Sequence, residues 1–105
     1  MKNIGIIGGL SPESTILYYK VIVDDYRRRF QSENYPNIII YSVNFGEFTK
    51  LISEGRNEDA AKILVEAAKA LERAGADFIV IAANTPHMLL NYIEPEIKVP
   101  ILSII

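Results

Sequence analysis

Four short apolar runs rich in β-branched residues are spread along the chain, and every gap between them is long enough for a helix. This alternation constrains the fold more than any other feature. The runs fall at residues 3–7, 38–43, 77–82 and 99–105, with cores such as Ile38-Ile39-Ile40 and Phe78-Ile79-Val80-Ile81. The gaps carry helical patterns at residues 12–30, 47–53, 58–74 and 88–93. The predicted order is β-α-β-α-α-β-α-β. Helices between successive strands imply right-handed crossovers, so the fold class is α/β, a parallel four-stranded sheet flanked by helices on both faces. The unbroken run 38–43 predicts a strand covered on both of its faces.

The helix ends are marked. Ser11 is a candidate N-cap, Pro12 suits the first helical position, and Glu13 complements the helix dipole. Ile16, Tyr19, Val23, Tyr26 and Phe30 step by three and four and form the predicted buried stripe of this helix. Tyr18 and Tyr19 read as core or interface aromatics. Arg27-Arg28-Arg29 lies in its last turn, where cations suit the dipole and face solvent. In the third helix the expected buried stripe is Ala60, Ile63, Leu64, Ala67, Leu71 and Ala74, ended by Gly75.

Composition narrows the function. At 105 residues the chain is one domain with one modest core. A net charge of -2, with no basic block beyond the three arginines, argues against nucleic acid as a partner. The absence of cysteine excludes disulfides, thiolate metal sites and cysteine nucleophiles within these residues, and a single histidine disfavours a histidine-based metal site. No apolar run approaches the ~20 residues of a membrane span. The start has no signal-peptide layout, so a cytoplasmic location is expected and no membrane partner.

In an open α/β sheet the ligand sits beyond the carboxyl ends of the strands. Three such ends carry informative residues: Gly8-Gly9-Leu10-Ser11-Pro12, Ser42-Val43-Asn44, and Ala83-Asn84-Thr85-Pro86-His87. Two of them share one layout, small residues leading to a hydroxyl and then proline. Both predict helix N-termini aimed at one crevice, and free N–H groups there favour a carboxylate. A plain capped strand-to-helix junction explains the same residues without a ligand. Dinucleotide binding fits poorly: the glycines are out of register for G-x-G-x-x-G, and no acidic residue ends the second strand. No Gly-Lys-Ser/Thr triplet is present, which excludes a P-loop.

The same stretches carry a family resemblance. Ile4-Gly5-Ile6-Ile7-Gly8-Gly9-Leu10-Ser11-Pro12-Glu13-Ser14-Thr15 resembles the opening of the aspartate/glutamate racemases, and Tyr41-Ser42-Val43-Asn44-Phe45 resembles their second strand end. Ala74-Gly75-Ala76-Asp77-Phe78, leading to Ala83-Asn84-Thr85-Pro86-His87, is similar to the family's Gly-Ala-Asp strand and its Cys-Asn-Thr-x-His motif. The resemblance spans the chain in order. It implies a protein of two similar α/β domains, of which this chain is the first. It also implies a cofactor-free site between them, where two thiols face opposite sides of the α-carbon of an acidic amino acid or small dicarboxylate. Asn84 and Thr85 fall where the family binds the substrate carboxylate. Gly9, Leu10, Ser11 and Asn44 are candidate substrate contacts beside them. His87 is expected either to pack under the loop or to orient it and assist proton movement.

One departure bears on the chemistry. The family's first cysteine falls on Ala83, whose methyl group neither gives nor takes a proton. The alternatives are an engineered Cys→Ala, a natural one-thiol relative of racemase or lyase type, and a carboxylate-binding domain without catalysis. The 105-residue chain by itself is expected to be inactive as a racemase. Its apolar last run, Ile101-Leu102-Ser103-Ile104-Ile105, has no helix after it. That predicts either a piece of a longer protein or an end buried in a homo-oligomer.

Overall fold

The computed structural model describes the backbone of residues 1–83 and 87–103, and the side chains of 1–83 and 89–102. The strands are β1 (Ile4–Gly8), β2 (Ile38–Ser42), β3 (Phe78–Ile81) and β4 (Ile101–Ser103). The helices are α1 (Pro12–Phe30), α2 (Phe45–Ser53), α3 (Asn57–Arg73) and α4 (His87–Ile93), followed by one turn of 3₁₀ helix at Glu94–Glu96. All three strand pairings are parallel and the spatial order is β2-β1-β3-β4. This is the α/β architecture that the alternation implies.

Pleating divides the core between two faces. Ile4 and Ile6 of β1 join Val80 and Ala82 on one face, with Tyr18 and Ile22 of α1 packed against them. Ile7, Ile79 and Ile81 point the other way, into a larger cluster with Leu64, Ala67, Ala68 and Leu71 of α3 and Leu89, Leu90 and Ile93 of α4. Helices therefore cover both faces, α1 on one and α3 with α4 on the other. Alanines at 61, 67 and 68 put small side chains of α3 into this cluster while costing little side-chain entropy.

The C-terminal end of α3 follows the predicted form. Gly75 has φ +99° and donates to Glu72 O, while Ala76 N–H returns to Leu71 O. This pair of bonds is a Schellman motif, which needs the left-handed conformation that glycine adopts freely. The next residues enter β3 through Asp77, whose N–H donates to Asn3 O at 2.9 Å. Asn3 N–H in turn donates to the Asp77 carboxylate at 2.6 Å, so the amino ends of β1 and β3 are tied together.

Three expectations are corrected. First, β2 is an edge strand, so one flank and part of its surface stay open: Ile40 and Tyr41 are exposed, about two-fifths each. A β-branched run reflects strand preference here and not two-sided burial. Second, the stripe of α1 is rotated. Thr15 and Val23 are buried, and Tyr18 and Ile22 pack on the sheet, but Ile16 is 70% and Phe30 64% exposed. More apolar residues ring this helix than one face holds, so of the predicted stripe only Val23 is buried; Thr15, which the apolar pattern omits, is buried with it. Third, on α3 Ala74 is exposed as the C-cap, and Ala61 and Ala68 are buried instead. The three arginines of α1 do lie in its last turn, where Arg28 and Arg29 pair with Asp25 at 2.7 and 2.9 Å.

Candidate functional site

The carboxyl ends of β2, β1 and β3 lie side by side, because β1 is between the other two. Backbone bonds continue the pairing one step past the strands. Val43 N–H donates to Gly8 O at 2.9 Å, and Ala82 N–H donates to Ile7 O at 3.0 Å. The segments leaving the three strands, the third as far as Ala83, thus start from one edge of the sheet. Ala83 follows directly on this frame, in a bend, half-buried.

Gly9 turns the chain as it leaves β1. Its φ is +83°, and a Cβ placed on it would meet Val43 O at 2.3 Å, Val43 N at 2.7 Å and Ser42 Oγ at 2.7 Å. Only glycine fits, on conformational and on steric grounds. Its N–H is already engaged, donating to Thr15 Oγ1 at 3.0 Å in a buried hydrogen bond. The Gly9 amide is thus occupied, and the room left by its missing side chain is taken by Val43 and Ser42. Leu10 packs its partly buried side chain against the α3–α4 core.

Ser11 occupies the N-cap position of α1 with extended backbone, φ -158° and ψ 99°, and Pro12 takes the first helical position. Its hydroxyl makes no capping bond, which corrects the expected role. Asn44, in contrast, does cap. Its Oδ1 accepts from Glu47 N–H at 3.1 Å at the start of α2, which begins at Phe45, two residues earlier than expected. That leaves the Nδ2 of Asn44 as its donor group toward any ligand. A cleft of about 460 Å³ opens beside it, lined by Tyr41, Ser42, Val43 and Glu47 among others. Asn84, Thr85 and Pro86 lie outside the described residues. His87 opens α4, and its side chain is likewise outside them.

Charged groups with shifted pKa values stand on the helix surfaces. The Lys20 ammonium, hydrogen-bonded to Asp24, holds that carboxyl below its ordinary value, and Arg56 does the same for Asp59. Glu33 holds the Arg27 guanidinium above its own. All three are exposed ion pairs on α1 or at the ends of α1 and α3, away from the strand-end frame. Among the described residues no helix is long and apolar enough to cross a membrane.

Residue-pattern reasoning missed Thr15. It sits four residues after the N-cap, where an amphipathic reading assigns no role to a hydroxyl. The available signal was a threonine in the first turns of a helix directly behind a Gly-Gly turn.

The profile of the Asp/Glu/hydantoin racemase family matches residues 7–105. The broad specificity amino-acid racemase RacX of Bacillus subtilis is 29% identical over 105 aligned residues, covering 97% of this chain and 45% of its own. A Yersinia pestis crystal structure, provisionally assigned as an Asp/Glu racemase, superposes with a TM-score of 0.91 at 40% identity. An aspartate racemase homologue from Pyrococcus horikoshii OT3 gives a TM-score of 0.84 at 51% identity. Each solved structure is matched over 98% of this chain and 45% of its own, so the chain spans less than half the length of these relatives. With the profile match covering nearly the whole chain, this protein belongs to the Asp/Glu/hydantoin racemase family.

Proposed function

We propose that this chain is the substrate-carboxylate-binding half of an amino-acid racemase-like protein, acting on an acidic amino acid such as aspartate or glutamate. The observation that carries the reading is the tied edge of three strand ends, two of which run directly into Gly9 and Ala83, in a chain of this family. Asn84 and Thr85 are the proposed carboxylate contacts. Ser11, with no capping duty, and the Nδ2 of Asn44 assist from the neighbouring ends, and His87 orients the loop. A second α/β domain supplies the opposite wall of the site. Exposed apolar residues at the sheet edges, Ile40 on β2 and Leu102 on β4, support cover by further protein. Self-association and a cytoplasmic location belong to the same reading.

The chemistry follows from the α-proton. Racemisation requires a base on one face of the α-carbon and an acid on the other, with the carboxylate held still and water excluded. Thiols serve both roles without a cofactor when one is ionised. At Ala83 the proposed first thiol position holds a methyl group, so this half binds and orients but moves no proton from its own face. A thiol of the second domain then exchanges the proton from one side only. Titrating the full-length protein with L-aspartate by calorimetry tests the site. Asn84→Ala and Thr85→Ala are each expected to weaken binding by about 1–3 kcal/mol, as for a lost buried polar contact. Unchanged affinity in both contradicts the assignment.

A further inference from the structure

Among the described residues Thr15 is the one buried polar side chain, 8% exposed. Its hydroxyl has two partners. It donates to Ser11 O at 3.2 Å, a bond that helical threonines commonly make to the residue four before them. It also accepts from Gly9 N–H at 3.0 Å, which reaches out of the helix to the turn in front of it. The same side chain fills the space beside Gly8: a Cβ there would lie 2.6 Å from Thr15 Cγ2 and 2.8 Å from Thr15 Oγ1. On its other flank the turn is held by Val43, through its N–H to Gly8 O and its contact with Gly9. The Gly8-Gly9 turn is therefore gripped between two elements, and Thr15 supplies the grip from α1.

Packing does not call for the hydroxyl. The neighbours of Thr15 along the sheet-facing side of α1 are Tyr18 and Ile22, and an isosteric valine fills the same volume. A valine leaves the buried Gly9 N–H without its acceptor, at the cost of desolvating that group. The hydroxyl is specific to the geometry of the turn. We propose that Thr15 is a positioning residue of the candidate site, its hydroxyl fixing the Gly8-Gly9 turn that leads to Ser11, a proposed carboxylate contact. Thr15 acts through Gly9 and touches no substrate. The proposal rests on the reading of that edge as a carboxylate site.

The test uses the full-length protein that carries this chain, as wild type, Thr15→Ser and Thr15→Val. Binding of L-aspartate is followed by calorimetry, and exchange of the Gly9 amide by NMR. Thr15→Ser is expected to keep the affinity within about threefold, and Thr15→Val to lose about tenfold with an unchanged circular dichroism spectrum, the size of one hydrogen bond. Gly9 exchange is expected to speed up in Thr15→Val and not in Thr15→Ser. Equal affinity of wild type and Thr15→Val overturns the proposal while leaving the carboxylate site standing. If the wild type binds no L-aspartate, the carboxylate reading fails instead, and Gly9 exchange decides alone: equal rates in wild type and Thr15→Val overturn the clamp. Should Thr15→Val not fold, a folded Thr15→Ser that binds tenfold more weakly, or fast Gly9 exchange in the wild type, overturns it.

Discussion

Gly9 and Val43 are in such close contact that a methyl group on the glycine would come within 2.3 Å of the Val43 carbonyl oxygen. The turn leaving β1 and the segment leaving β2 are thereby fixed against each other at the edge where the strand ends meet. Gly9→Ala has to adopt a left-handed backbone, which costs an L-residue roughly 1–2 kcal/mol, and must also push Val43 away. We expect Gly9→Ala to lower stability by about 2 kcal/mol or more in urea denaturation and to weaken L-aspartate binding in the full-length protein. Wild-type stability in this variant contradicts the contact.

Glu72 fastens the far edge of the sheet. Its carboxylate accepts the N–H of Lys98 at 2.6 Å and of Val99 at 3.0 Å, which sets the path into β4 from the end of α3. Bonds to a charged acceptor are stronger than neutral ones. Glu72→Ala is expected to cost about 1.5–3 kcal/mol in denaturant unfolding, with Glu72→Gln recovering part of it. Equal stability of Glu72→Ala and wild type removes the role.

The facing of α1 is open to a direct test. Val23 is buried and Ile16 is 70% exposed, although both lie on the apolar stripe that spacing predicts. Val23→Ala is expected to destabilise by about 1–3 kcal/mol and Ile16→Ala by under about 0.5 kcal/mol. The reverse order in thermal or urea melts contradicts the facing described for α1.

That difference shows where sequence carries the fold and where it does not. Strand and helix order is legible because β-branched runs and alanine-rich helices differ in composition, and caps such as Pro12 and Gly75 punctuate them. The parallel sheet follows from the order. Which side of α1 is buried does not follow, since Ile16, Leu17, Val21 and Phe30 are as apolar as the residues that face inward. Nor does a run such as Ile38-Ile39-Ile40 tell a central strand from an edge one; position in the sheet is a property of the whole topology. At the site, the strand ends of Gly9, Asn44 and Ala83 were legible from motif and fold rule together. The engagement of the Gly9 amide by Thr15 was not, because it depends on a side chain reaching back from the helix to the turn.

Ala83 is proposed to occupy the position of one of two proton-transfer groups in a racemase-type site. Chiral chromatography and mass spectrometry of L-aspartate in D₂O measure it directly, using the full-length protein with Ala83 and with Ala83→Cys, and the 105-residue chain beside them. Deuterium is expected to enter L-aspartate with retention in the full-length protein, with little D-aspartate formed, and conversion to D-aspartate is expected to be faster after Ala83→Cys. The short chain is expected to do neither. Rapid formation of D-aspartate by the 105-residue chain with Ala83 in place contradicts this role for Ala83.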